Sequence, residues 1–344
     1  MNTDQQQLKR RMLYLRWALT LLFLLQLYTP VKLFAQTADI MVHDPVMIKA
    51  DSTYYLFCTG WGISAMRSED MVHWERLKPV FSAPPAWALD AVPGFKGHIW
   101  APDISYHNGQ YYLYYSVSAF AKNTSCIGLA TNKSLDPENP AFKWTDHGKV
   151  IQSVPGRDMW NAIDPNLALD ENSTPWLTFG SFWNGIKLVK LSDNLSVVAE
   201  PETWYTIASR ERSYELPDTD PGDAAIEAPF IFKKNGKYFL FVSWDYCCRG
   251  LKSNYKVVVG RSDKITGPFL DKEGKDMRYG GGSLVIEGNE KFAGIGHNAI
   301  YTFGDKDYFI AHAYDNQDEG KPKLLIKLVE WDEEGWPVLD KTIK

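Results

Sequence analysis

An all-β, five-bladed propeller with four antiparallel strands per blade is the fold this chain predicts. Three observations point there. A short polar opening recurs five times, at Asp44, Asp103, Asp164, Glu227 and His297, in steps of 59, 61, 63 and 70 residues. Each opening is followed about ten residues on by an aromatic run, such as Tyr111-Tyr112-Leu113-Tyr114-Tyr115 or Tyr238-Phe239-Leu240-Phe241. Tight-turn signals, such as Asn108-Gly109 and Asn235-Gly236, separate opening from run. A long period holding several short strands is the signature of a radial repeat. Such a repeat brings equivalent positions of every blade to the central axis, where an active site is expected.

The elements follow in order. In the second unit Trp100–Tyr106 alternates around Asp103, and Asn-Gly between apolar runs is a strong hairpin signal. Tyr111–Val117 is the second strand, Ile127–Thr131 the third, and Phe142–Trp144 begins the fourth. The fourth unit reads alike: Ala228–Phe232, Tyr238–Trp244, Tyr255–Val259, then Pro268-Phe269-Leu270. A β-sandwich with coincidental spacing is the alternative. No long helical period appears after residue 35. The Pro- and Asp-rich run Leu216–Asp223 reads as a rim loop, and Asp315–Gly320, lacking EF-hand spacing, as solvated.

Residues 1–35 are set aside as an export signal. Lys9, Arg10 and Arg11 precede an apolar stretch, and Leu33-Phe34-Ala35 suits cleavage before Gln36. The uncharged stretch Trp17–Val31 contains Pro30 and falls short of the ~20 residues a membrane span needs. The expectation is a secreted or periplasmic chain, 36–344, forming one catalytic domain with no membrane span after cleavage. A net charge of −5 without a basic stripe excludes nucleic acid as a partner. Aromatics make up 14% of the chain, a surplus that suits a sugar cleft, where flat rings meet C–H faces. Of four cysteines, Cys58 reads as core. Cys247 and Cys248 are adjacent, which leaves a bonded pair and two thiols both open.

Three carboxylates carry the chemistry. Glycoside hydrolysis needs one protonated carboxyl for the leaving oxygen and one ionised carboxyl for water or attack. A third raises the acid's pKa by charge repulsion. Asp44, Asp164 and Glu227, taken as occupying equivalent phases of three blades, meet this need. The competing view is that they cap strands. Asp103 is placed with structure, holding its blade or lining the pocket wall.

The chain resembles glycoside hydrolase family 43, and within it the endo-1,5-α-L-arabinanases, over essentially all of 36–344. The motifs are Val42-His43-Asp44-Pro45, His98-Ile99-Trp100-Ala101-Pro102-Asp103, Trp160-Asn161-Ala162-Ile163-Asp164-Pro165-Asn166, Ser181-Phe182-Trp183-Asn184-Gly185-Ile186, Ile226-Glu227-Ala228-Pro229-Phe230 and Trp244-Asp245-Tyr246-Cys247-Cys248-Arg249-Gly250. The resemblance implies an inverting enzyme with Asp44 as base, Glu227 as acid and Asp164 tuning and orienting the acid. It implies substrate contacts from Asp44, Trp100, Asn161, Asp164, Ser181, Phe182 and Trp183. It also implies a calcium ion on His297, held mostly by water. Gly294-Ile295-Gly296-His297 departs from the family where Pro commonly precedes the second Gly. The implied substrate is the α-1,5-linked backbone of arabinan. An exo-acting α-L-arabinofuranosidase, a β-xylosidase and a non-catalytic glycan-binding propeller remain as alternatives. Oligomeric state is open.

Overall fold

The structure, a computed structural model, describes residues 36–339; the segment assigned to export lies outside them. Five antiparallel sheets succeed one another along the chain. Blade 1 is Val46–Ala50, Thr53–Cys58, Ser64–Ser68 and Glu75–Arg76. Blade 2 is His98–His107, Gln110–Val117, Ser125–Asn132 and Thr145–Ser153. Blade 3 is Asn166–Leu169, Pro175–Phe179, Ile186–Lys190 and Trp204–Ala208. Blade 4 is Ile226–Lys234, Lys237–Trp244, Lys256–Ser262 and Ser283–Ile286. Blade 5 is Phe292–Phe303, Lys306–Asp315 and Lys321–Trp331. Two strands share the outer edge of blade 5: Gln36–Met41 from the start of the described chain and Pro337–Leu339 from its end. That pairing ties the two ends together and closes the ring. The first strand of each blade packs against the first strands of its neighbours, blade 5 against blade 1 included.

The aromatic runs are second strands, sandwiched between adjacent blades. Tyr238, Phe239, Leu240, Phe241 and Val242 are all at most 2% exposed, so both faces are covered and the run is continuously apolar instead of alternating. The Asn-Gly turns behave as expected: Asn108 and Gly109 have φ of 49° and 80°, and Asn235 and Gly236 of 50° and 76°. Both central residues are left-handed, the primed geometry that matches strand twist.

Two expected fourth strands are misplaced. In blade 2 the strand starts at Thr145. The Asn132 side chain takes the Lys143 N–H at 2.9 Å, holding 142–144 out of the ladder. In blade 4 only Leu270 of the Pro268–Leu270 run pairs, with Arg261, and the edge strand is Ser283–Ile286. Pro268 has no N–H to extend a ladder. One six-residue helix, Ala86–Ala91, joins blades 1 and 2.

Asp103 is a staple between blades. Its carboxylate, 3% exposed, accepts from the Asn166 amide (3.2 Å) and the Leu167 N–H (2.8 Å). Asn166 in turn accepts the Ile231 N–H at 2.8 Å. Burial pushes Asp103 up to about 6, against the lowering effect of its two hydrogen bonds. Asp103→Ala is expected to lower stability by about 1–3 kcal/mol, because the Leu167 N–H loses its partner in the core. Since the folded value lies above the ordinary 3.8, Asp103 contributes most below that pH, and the deficit should shrink as pH rises through about 6. Chemical denaturation at several pH values checks both statements.

Candidate active site

The inner strands share one irregularity. Asp44, Ala101, Asp164, Ala228 and His297 each lie in the left-handed region, with φ of 52°, 42°, 59°, 53° and 50°. Four of them precede Pro. These five positions are equivalent, which corrects the expected phasing. Asp44, Asp164 and His297 occupy the special position itself. Glu227 comes one residue before it and Asp103 two residues after. The proline, not the acid, marks the repeat. The ladder slips at this point in blades 2, 4 and 5, freeing each residue's N–H.

A side chain at the end of the preceding blade's second strand accepts that N–H. Thr59 Oγ1 takes Ala101 at 2.8 Å, Ser116 Oγ takes Asp164 at 2.9 Å, and Ser243 Oγ takes His297 at 2.8 Å. His312 Nδ1 takes Asp44 at 3.1 Å. The symmetric acceptor for Ala228 is Ser181, and there the pattern breaks. Asp164 Oδ2 takes the Ala228 N–H at 3.1 Å, and Ser181 instead donates to Glu227 Oε2 at 2.8 Å. The Asp164 carboxylate thereby holds the strand that carries Glu227.

The three acids sit in different fields. Asp44 Oδ1 lies 2.8 Å from His43 Nδ1 and 3.0 Å from His297 Nδ1, and Thr59 donates to Oδ2 at 2.5 Å. Burial opposes ionisation of Asp44, but the charge of His297 and the hydrogen bonds of His297 and His43 win and hold it well below the usual range. Burial pushes Asp164 up to about 8; His297 opposes this, while Glu227 and Asp44 add to it. Burial alone would lower His297, but Asp44 and Asp164 outweigh it and hold the imidazole up at about 9. Glu227 Oε1 accepts from the Tyr255 hydroxyl at 2.8 Å. Burial, then the charges of Glu227, Asp164 and Asp44, keep that phenol well above its ordinary range. Ser181 and Tyr255 are hydroxyls that donate or accept, so they hold Glu227 in either protonation state.

One cavity of about 1080 Å³ receives all nine expected site residues: Asp44, Trp100, Asn161, Asp164, Ser181, Phe182, Trp183, Glu227 and His297. This exceeds the ~300–1,000 Å³ of ordinary small-molecule pockets and leaves room for an oligomer. Trp100 is held by its Nε1–H on His98 Nδ1, 3.1 Å away. Asn161 is buried, and its Oδ1 has no protein partner. Trp183 is 2% exposed, which makes it a support as well as lining. Its indole N–H holds the Asp218 carbonyl at 2.9 Å, fastening the rim loop whose Pro221 and Gly222 reach the cavity. Asp318, expected to be solvated, pairs with Lys321 and Lys323. Cys247 and Cys248 are joined as a disulfide between neighbours and line the cavity; Cys58 is buried, as expected.

Thr59, Tyr255, His312 and Tyr314 escaped the sequence reading. A signal for His312 exists. Thr59, Ser116, Ser181, Ser243 and His312 each stand four residues after Tyr55, Tyr112, Leu177, Phe239 and Tyr308 in the second strands. His is the outlier of that set.

A metal ion on His297 would use Nε2, because Nδ1 faces Asp44. Among the described residues no three-ligand group includes His297; the groups that converge are His43–Asp44–His312 and His43–Cys247–Cys248. Calcium takes 6–8 oxygens. The donors present fit a hydrated ion on one imidazole, not a protein cage.

Carboxyls held at opposite ends of the titration range in one large aromatic cleft are the equipment of a glycosidase. Comparison with known proteins narrows this. Residues 38–337 match the family model described as glycosyl hydrolases family 43. The extracellular exo-alpha-(1->5)-L-arabinofuranosidase ArbA of Cellvibrio japonicus is 52% identical over 87% of this chain and 86% of its own. The extracellular endo-alpha-(1->5)-L-arabinanase 1 of Bacillus subtilis is 43% identical over 86% and 87%. A Cellvibrio cellulosa alpha-L-arabinanase complexed with arabinohexaose superposes with a TM-score of 0.87 at 51% identity, covering 89% of this chain and 96% of that one. The chain belongs to glycosyl hydrolase family 43 and is a glycoside hydrolase of that inverting family.

Proposed function

We propose that this protein hydrolyses internal α-1,5-L-arabinofuranosidic linkages of arabinan, with inversion. The observation that carries the reading is the cavity of about 1080 Å³, in which the three acids share one lining with Trp100, Ser118–Lys122, Tyr246–Gly250 and Pro322, more than one sugar ring needs. The relatives named for arabinan linkages and the arabinohexaose complex support the substrate. Export is supported by the two relatives named extracellular. Among the described residues no helix is long and apolar enough to cross a membrane.

In this reading Asp44, kept ionised by two imidazoles, takes a proton from the attacking water. Glu227 protonates the leaving oxygen. Asp164 fixes the Glu227 strand through the Ala228 N–H, and burial together with the neighbouring carboxylates pushes its own carboxyl up. Trp100 and Phe182 offer faces to sugar rings, and Asn161 Oδ1 and Ser181 Oγ offer polar atoms. Inversion needs the two carboxyls about 6.5–9.5 Å apart, with water between. A hydrated calcium ion on His297 would add positive charge among the acids.

The 52% relative, named as exo-acting, favours a second reading: release from a chain end. Sizing the first products from linear arabinan separates the two. Internal cutting yields a spread of oligomers and a rapid fall in viscosity; a single short product from the outset rejects it.

A further inference from the structure

We propose that Tyr314 is a positioning residue for the base: it fixes the proton of His43, and the Cys247–Cys248 disulfide anchors its far side. The proposal deepens the reading of Asp44 as base and rests on it. Tyr314 is 2% exposed in the second strand of blade 5, two residues beyond His312. Its oxygen lies 2.7 Å from the Cys248 backbone nitrogen and 2.8 Å from His43 Nε2.

The directions of these bonds follow from chemistry. The Cys248 N–H only donates, so it occupies a lone pair of the tyrosine oxygen. The hydroxyl hydrogen goes to His43 Nε2, because Nδ1 donates to the Asp44 carboxylate and leaves Nε2 as the acceptor. Its other side-chain neighbours are Cys248 Sγ, 3.9 Å away and a weak acceptor, and Ser253, whose oxygen already takes the Arg249 N–H. With Nε2 accepting, the ring proton sits on Nδ1, which lies 2.8 Å from Asp44 Oδ1. The opposite tautomer would set a nitrogen lone pair against a carboxylate at that distance. A continuous chain therefore runs from Cys248 N–H through Tyr314 and His43 to the base.

The surroundings keep the chain in place. The His43 ring stacks on His312 with centroids 3.9 Å apart, and His312 holds the Asp44 N–H. Two stacked imidazoles thus grip one residue, one by its carboxylate and one by its backbone. Cys248 has a φ of 65°, left-handed for a residue with a side chain. A bond to its neighbour leaves that peptide few alternatives. Asn254 Oδ1 takes the Tyr246 N–H and Ser253 Oγ the Arg249 N–H, pinning the loop on both sides of the pair. The adjacent cysteines, which no step of the hydrolysis uses, acquire a role as the anchor of the chain.

The test joins nitrogen-15 NMR of the histidines with kinetics on an arabino-oligosaccharide. In the unaltered protein His43 should hold its proton on Nδ1, with Nε2 accepting. In Tyr314→Phe the proton should redistribute toward Nε2. A loosened base costs kcat on the order of 10- to 100-fold, with KM nearly unchanged. Replacing both cysteines by serine should lower kcat in the same direction, and full kcat there overturns the part given to the disulfide. A wild-type His43 protonated on Nε2, or a folded Tyr314→Phe with undiminished kcat, overturns the proposal. Should Tyr314→Phe fail to fold, the wild-type spectrum decides alone. An Nδ1 proton alongside a fully active Asp44→Asn would instead reject Asp44 as base and leave the hydrogen-bond chain standing.

Discussion

Glu227→Gln should lower kcat on linear arabinan by about 10²- to 10⁴-fold, the range expected for removing a general acid. The fold should survive. Gln has the shape of Glu, and both partners of this side chain, Ser181 and Tyr255, are hydroxyls able to turn from donor to acceptor. The melting temperature should therefore stay near that of the unaltered protein while turnover collapses. Binding of arabino-oligosaccharide should persist. That combination distinguishes an enzyme from a propeller that only binds glycan, in which the substitution leaves every sugar-dependent property in place. Retained turnover on arabinan would remove Glu227 from the chemistry.

Asp44→Asn should be as damaging, again about 10²- to 10⁴-fold in kcat, because an amide cannot take a proton from water. Here too the geometry has a stand-in. The amide oxygen can still accept from His43 Nδ1 and His297 Nδ1, and Thr59 can turn to accept from the amide nitrogen. The loss should thus appear in kcat, with stability changed little. Circular dichroism melts beside initial rates check this. A fall in stability that accounted for the lost rate would assign Asp44 to structure instead.

Much of this was legible in the sequence because a radial repeat turns spacing into position. Five polar openings and five aromatic runs sufficed for the blades, since a strand covered on both faces must be apolar throughout, as Tyr238–Val242 is. The ring closure was not legible. Gln36–Met41 pairs with Lys321–Trp331, a contact between the two ends of the described chain that no local pattern announces. The outer strands were harder than the inner ones because edges carry weaker patterns and the Asn132 side chain diverts the chain before Thr145.

The phasing error is more instructive. Asp44, Asp164 and Glu227 were aligned as acids, whereas the backbone aligns Asp44, Ala101, Asp164, Ala228 and His297. Glu227 is displaced by one residue and belongs with His43 and Trp100, the residues that precede the left-handed position. Asp103 is displaced by two and turns into the blade, where it meets Asn166 and Leu167. The acids thus reach one cavity by two routes, and that is why one carboxylate holds a strand while another is held by two hydroxyls. His312 was readable, as a His where other blades carry Ser or Thr. Tyr255 and Tyr314 were not, because aromatics in or just before the second and third strands ordinarily belong to the core.

The central claim is that Asp44 and Glu227 do different jobs. The most direct test compares both variants on an arabino-oligosaccharide bearing a 2,4-dinitrophenyl group at the cleaved bond, a leaving group that departs without a proton. Glu227→Gln should then recover most of the activity it loses on arabinan, while Asp44→Asn should stay impaired on both. Equal recovery of the two variants, or recovery by Asp44→Asn alone, would contradict the assignment.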